Sequence, residues 1–129
     1  MAYVKLPKDK VVYVDVDDTI AGWTPEDFHH KEEEIVWVDD DTRMFPLLPL
    51  KRNIDFVKKL KLQGYGVVVW SAAGANWAEH VIKKFGLEDL PDMIISKPEL
   101  CVDDLLEANR IIKSIVWICP DTGEFKRNA

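Results

Sequence analysis

Cysteine is scarce in this 129-residue chain, which holds only Cys101 and Cys119. Two cysteines do not build the disulfide framework on which small secreted domains rely. Both lie in or beside predicted strands, where reduced core thiols are expected. No apolar run is long enough to cross a bilayer. The stretch Met1-Ala2-Tyr3-Val4-Lys5 lacks the long apolar core of a signal peptide, so a cytoplasmic protein without membrane attachment is expected. Basic residues number 17 against 23 acidic ones, a net charge of −6. That balance gives no general affinity for nucleic acid or anionic membrane. Glycine is sparse too: Gly64-Tyr65-Gly66 has no third glycine and precedes a strand, which excludes a dinucleotide-binding loop. His29 and His30 have no partner at metal-ligand spacing and His80 falls in a helix, so all three read as surface or helix residues. No repeat or low-complexity linker divides the chain, and residues 1–129 read as one domain.

What is present is a core and a regular alternation of elements. Apolar residues make up 47% of the chain, enough to close a domain of this size. Val11–Val16 is β-branched and reads as a buried strand. Residues 20–48 are the least regular stretch, punctuated by Trp23, Pro25, Pro46 and Pro49. Within them Ile35–Val38 and Arg43–Phe45 flank Asp39-Asp40-Asp41-Thr42, the pattern of a β-hairpin with an acidic turn. A helix is expected from Leu50 to Gln63, carrying Leu50, Ile54 and Val57 as its apolar stripe and ending at Gly64. Gly66–Trp70 is a second buried strand. A helix with Ala78, Val81, Ile82 and Phe85 follows, and Gly86 closes it. Asp92–Ile95 and Leu100–Val102 are predicted as a third and a fourth strand. A helix with Leu105, Ala108 and Ile112 comes next, then a last strand, Ile115–Ile118, and a polar tail from Pro120. Alternating strands and helices with near-continuous apolar strands predict a Rossmann-like three-layer α/β/α fold around a central parallel sheet. A small β-hairpin flap would follow strand one.

In such sheets ligands bind beyond the carboxyl ends of the strands. The polar residues standing there are Asp15, Asp17, Ser71, Asp103 and Asp104. Asp15 and Asp17 are two apart, so both side chains point to the same side of a strand. Carboxylates so placed repel one another unless a cation lies among them. Asp15, Asp17 and one of Asp103 or Asp104 form an oxygen-rich set suited to Mg²⁺. Lys97 is near enough in sequence to reach the same place. Ser71 offers a hydroxyl, and residues 71–74 offer backbone N–H groups at the start of a helix, where anions bind well. A carboxylate near phosphorus is a competent nucleophile, and a second one two residues on serves proton transfer.

These motifs in this order, Asp15-Val16-Asp17-Asp18-Thr19, Ser71, Lys97 and Asp103-Asp104, resemble the haloacid dehalogenase-like superfamily of phosphohydrolases. They cover essentially the whole domain. The resemblance implies a magnesium-dependent phosphomonoesterase working through an aspartyl-phosphate. Asp15 would be the nucleophile and Asp17 the general acid and base, its carbonyl also binding the metal. Ser71 with the Ala72 amide and Lys97 would hold the phosphate, and Thr19 would brace the loop beside it. Asp104 would ligate magnesium, with Asp103 supporting it. Asp18 stands where the family usually has glycine, a substitution found among its members.

The intervals from Thr19 to Leu50 and from Ser71 to Lys97 leave no room for a substantial cap domain. Capless relatives tend to act on large or extended substrates, so a nucleotide, a nucleic-acid end or a phosphoprotein all fit. The basic residues Lys51, Arg52, Lys58, Lys59 and Lys61 share one helix, read as a solvated outer face. The acidic runs Glu32–Glu34 and Asp39–Asp41 are read as solvated too. Trp23, Trp37 and Trp77 either stack on a substrate ring or pack in the core. Two other readings stand beside the enzyme: a receiver-like phosphoacceptor and a degenerate binding module. In receivers, however, the acceptor aspartate ends a middle strand and lysine comes last, whereas here Ser71 ends the middle strand and Lys97 precedes the final acids.

Overall fold

The apolar runs pair much as their composition demands in the computed structural model, which describes residues 9–28, 30–102, 104, 115–118 and 125–128. In chain order the elements are β1 (Val11–Asp15), β2 (Ala21–Gly22), β3 (Val36–Asp39), β4 (Met44–Pro49), α1 (Lys51–Leu62), β5 (Gly66–Ser71), α2 (Ala75–Lys84), β6 (Met93–Ser96), β7 (Ile115–Ile118) and β8 (Phe125–Asn128). Short 3₁₀ turns cover Pro25–Asp27 and Glu32–Glu34.

β1, β5 and β6 form a parallel sheet in that spatial order. The middle strand is buried on both faces: Val67, Val68 and Val69 are all inaccessible. That is why its sequence is apolar without alternation. β1 is buried on one face only, with Val14 in the core and Tyr13 49% exposed. Tyr13 meets Trp70 edge-to-face, their ring centres 4.6 Å apart.

Ile54 and Val57 of α1 join Ala78, Val81 and Ile82 of α2 in one cluster with Val67 and Val69. Val67 and Val69 alternate with Val68, so they share a face of β5, and both helices lie against that face. The described residues thus form a mixed α/β fold with a three-stranded parallel sheet and two helices. The helix expected at Leu105–Ile112, which would supply a third layer, lies outside the described residues.

The hairpin after strand one is present and larger than expected. β3 and β4 pair antiparallel, and β2 adds on the other side of β4. Pro46 lies within β4 and does not interrupt it, and Pro49 is its last residue. β2 opposes only Leu48 and Pro49, so at Pro46 β4 is an edge on that side, where a missing N–H is tolerated. Val38 and Leu47 are fully buried in the same core as the helices. Burying each is worth about 2 kcal/mol, so the hairpin is fastened to the body. The acidic run at its tip is a built turn and not merely a solvated one. Asp40 Oδ1 accepts hydrogen bonds from the Thr42 hydroxyl at 2.6 Å and from the Thr42 and Arg43 amides at 3.0 Å. Asp41 takes φ 76°, a conformation Asp tolerates better than most residues. The Thr42 hydroxyl, then the Arg43 and Thr42 amides, hold the Asp40 carboxyl down from the usual 3.8 to about 2.

Two expectations fail toward the carboxyl side of the sheet. Leu100–Val102 is not a strand: the segment is irregular, and Leu100 and Val102 are 81% and 92% exposed. Only Lys97-Pro98-Glu99 lie between β6 and Leu100. A parallel neighbour needs a crossover of about a dozen residues, which this connection does not supply. Cys101 is consequently an exposed free thiol and not a core one; Cys119 lies outside the described residues. The last strand, β7, is found where expected but does not join the parallel sheet. It pairs antiparallel with β8, from the tail read as merely polar.

Candidate active site

Directly after β1 the chain makes one tight turn. The Val16 carbonyl accepts the amides of Thr19, Ile20 and Ala21 at 3.2, 3.0 and 3.1 Å. Val16, Ile20 and Ala21 are fully buried. Burying these three fixes the loop and leaves its polar residues to face away from the core. Asp18 sits at φ 60°, in the left-handed region that glycine enters most easily and Asp next. Its Oδ1 accepts the Trp23 amide at 3.2 Å. From below, buried Asn53 of α1 donates through Nδ2 to the Thr19 carbonyl at 2.7 Å. Asn53 is a functional support that the sequence reading did not single out; a polar residue among Leu50, Ile54 and Val57 is the signal for this anchor.

Asp15, Thr19 and Lys97 meet. Lys97 Nζ lies 3.0 Å from Asp15 Oδ1, and both side chains are about one-third exposed, 35% and 34%. The Thr19 hydroxyl donates to Asp15 Oδ2 at 3.3 Å. A half-open ion pair stabilises by about 1 kcal/mol or less. Its significance is therefore placement: a cation stands against the carboxylate that ends β1, relieving the repulsion implied by three neighbouring acids. Lys97 Nζ also lies 5.8 Å from the centre of the Trp70 ring.

The strand ladder sets where Lys97 stands. Ser71 is in register with Ser96, and the Ser71 carbonyl accepts both the Lys97 amide at 2.9 Å and the Gly74 amide at 3.1 Å. Ser71 itself is fully buried, and its Oγ accepts the Ala73 amide at 3.0 Å. Ser96 Oγ accepts the Ala75 amide at 2.9 Å. Ala73 and Gly74 thus use their N–H groups inside the turn, contrary to the expectation that residues 71–74 offer them all to an anion. Ala72, which is exposed, contributes its amide to neither of these bonds.

Asp17 has different company. Its Oδ1 accepts the indole N–H of Trp23 at 2.6 Å and that of Trp77 at 3.0 Å. The two indoles pack on each other and on Phe45, with ring centres 5.5, 5.0 and 5.7 Å apart. Packing is therefore the role of Trp23 and Trp77, with a polar function added; Trp37 is 54% exposed. No periodicity in the sequence joins Trp23, on the loop after β2, to Trp77, on the first turn of α2.

Asp104 is exposed, and Asp103 lies outside the described residues. The donors expected for magnesium are hard oxygens, which suit the ion. However, Asp15, Asp17 and Asp104 do not come together within ligand distance among the described residues. The group that does is Asp39, Asp41 and His80, whose ligand atoms lie within 4.8 Å of one another. His80 Nδ1 donates to the Asp39 carbonyl at 2.6 Å, so His80 ties α2 to the hairpin. His29 lies outside the described residues. On α1, Lys61 donates to the Asp89 and Leu90 carbonyls at 2.7 and 2.8 Å and pairs with Asp92 at 3.8 Å. It joins two parts of the core layer, while Lys51, Arg52, Lys58 and Lys59 are exposed. No helix among the described residues is long and apolar enough to cross a membrane.

Comparisons of the chain with protein-family models, with curated proteins and with solved structures give no match.

Proposed function

We propose that this chain is a magnesium-dependent phosphomonoesterase of the haloacid dehalogenase-like type. The observation that carries the reading is the meeting of Lys97 and Asp15 at 3.0 Å, from the ends of β6 and β1 on either side of the middle strand β5. A carboxylate positioned to attack and a cation positioned to receive the phosphoryl oxygens are the two groups a phosphoryl transfer needs first.

In this reading an Asp15 carboxylate oxygen attacks phosphorus, and the bond from phosphorus to the leaving oxygen breaks. Asp17, protonated, gives its proton to that oxygen, which departs as an alcohol. Asp17, now a carboxylate, takes a proton from water as the water attacks the aspartyl-phosphate. Asp15 is regenerated and inorganic phosphate leaves. Lys97 balances the charge on the phosphoryl group throughout, and the Ala72 amide would add a donor. Magnesium would neutralise phosphate in this acidic surround; the resemblance assigns it to Asp15, the Asp17 carbonyl and an acid of the Asp103-Asp104 pair, a set that does not converge among the described residues. The half-open mouth and the absence of space for a large cap favour a substrate that presents an exposed phosphate: a nucleotide, a nucleic-acid end or a phosphoprotein side chain.

The test is hydrolysis of p-nitrophenyl phosphate with and without Mg²⁺. Hydrolysis that requires the ion and disappears in Asp15→Asn is expected. Undiminished turnover in that variant removes Asp15 from the nucleophile's role.

A further inference from the structure

We infer that Trp23 and Trp77 are positioning residues for Asp17, which fill one of its carboxylate oxygens and leave the other, Oδ2, as the oxygen that carries and delivers the proton. The inference rests on the phosphatase reading and deepens it.

The argument starts from the geometry. Two indole N–H groups converge on the single atom Oδ1, at 2.6 and 3.0 Å. A carboxylate oxygen has two lone pairs, so two donors occupy both. A proton on Oδ1 would displace one of them and leave an indole N–H without a partner. For Trp77, only 7% exposed, that is costly. The proton of the neutral acid therefore resides on Oδ2. The donors also fix the carboxyl plane, because they come from different parts of the chain. Trp23 follows β2, Trp77 opens α2, and Phe45 of β4 wedges against both rings. Arg43 lies 5.0 Å from the centre of the Phe45 ring, on the side chain that completes the wall.

The chemistry that follows balances. Oδ2–H gives its proton to the leaving oxygen while the bond to phosphorus breaks, and Oδ2 afterwards takes a proton from the attacking water. Oδ1 changes no bond and keeps both indole donors through the cycle.

Leaving groups differ in how much they need this proton. p-Nitrophenolate departs readily as an anion, whereas an alkoxide does not. Trp77→Phe and Trp23→Phe keep an aromatic ring and remove the N–H. The measurement is kcat/KM for p-nitrophenyl phosphate and for ethyl phosphate, in wild type, both variants and Asp17→Asn. General acid catalysis contributes about 10²–10⁴-fold. Each tryptophan variant is expected to lose at least about tenfold more on ethyl phosphate than on p-nitrophenyl phosphate, a milder version of the Asp17→Asn pattern. A merely structural role lowers both substrates alike, and that result overturns the inference. If Asp17→Asn itself shows no dependence on leaving group, the acid role of Asp17 falls first. Selectivity in Asp17→Asn without selectivity in the tryptophan variants sinks the positioning role alone. A readout independent of turnover is the ¹H–¹⁵N spectrum. Both indole N–H resonances should move in Asp17→Ala, and two unmoved resonances overturn the geometry itself.

Discussion

The two sides of the candidate site treat their carboxylates in opposite ways. On the side of β5 and β6, Asp15 faces a lysine and a hydroxyl, in a mouth one-third open to water. On the side of the hairpin and α2, Asp17 faces two indoles, against which a phenyl ring packs. The first surround stabilises negative charge by a partly exposed cation that a ligand can reach. The second fixes one oxygen with neutral donors that cannot leave without breaking the core. A group that must attack needs its lone pairs accessible, while a group that must shuttle a proton needs a defined orientation. Two acids only two residues apart are thereby made chemically unequal by tertiary structure.

The largest expected effect that breaks this contrast is Asp15→Asn, which should abolish hydrolysis of an aryl phosphate. Next comes Lys97→Met, which empties the cationic side. Loss of a preorganised charge partner of this kind typically lowers kcat by about 10²–10³-fold, and steady-state kinetics should read it. The tryptophan variants follow, with their selective loss on poor leaving groups.

Much of the frame of this contrast was legible in the sequence, and the aromatic side was not. The β-branched runs, the helix stripe at Leu50, Ile54 and Val57, and the hairpin around Asp39–Thr42 all announce themselves through local periodicity. Lys97 was placed at the site by its closeness in sequence to Leu100–Val102, which is no strand; the end of β6 at Ser96 is what puts it there. Leu100–Val102 misled because three apolar residues look the same in a strand and in an exposed connection, and only the length of the preceding crossover tells them apart. The pairing of Trp23 with Trp77 depends on how the hairpin folds back over α2, and no local pattern records that. β8 was missed for a related reason: in a polar tail, ladder hydrogen bonds leave little trace in hydropathy.

Smaller effects sharpen the contrast through its supports. Asn53→Ala removes the donor to the Thr19 carbonyl and so loosens the loop holding both acids. The loss is partly offset, because Asn53 Oδ1 is buried with no hydrogen-bond partner among the described residues. Urea unfolding should therefore show destabilisation near the low end of the usual 1–3 kcal/mol, about 1 kcal/mol. The smallest effect is at the hairpin tip. The Asp40 carboxyl is lowered from 3.8 to about 2 in the folded turn. Its stabilisation is accordingly complete above the unfolded value, and is lost as pH falls from about 4 through 2. In Asp40→Ala that pH dependence should vanish, as read from amide chemical shifts of Thr42 and Arg43 during an acid titration.

The Ser71 carbonyl, which accepts the Lys97 and Gly74 amides together, has a consequence for how this site tolerates change. The place of the lysine is written into a main-chain atom that every residue type possesses, whereas the helix start is held by the Ser71 and Ser96 hydroxyls as well. The Ser71 hydroxyl, by contrast, holds the turn itself through the Ala73 amide. A residue that fits the same small volume can alter the chemistry offered there while the cation stays opposite Asp15. The cation thus sits in a fixed socket, while the turn beside it is open to change by single substitutions at position 71.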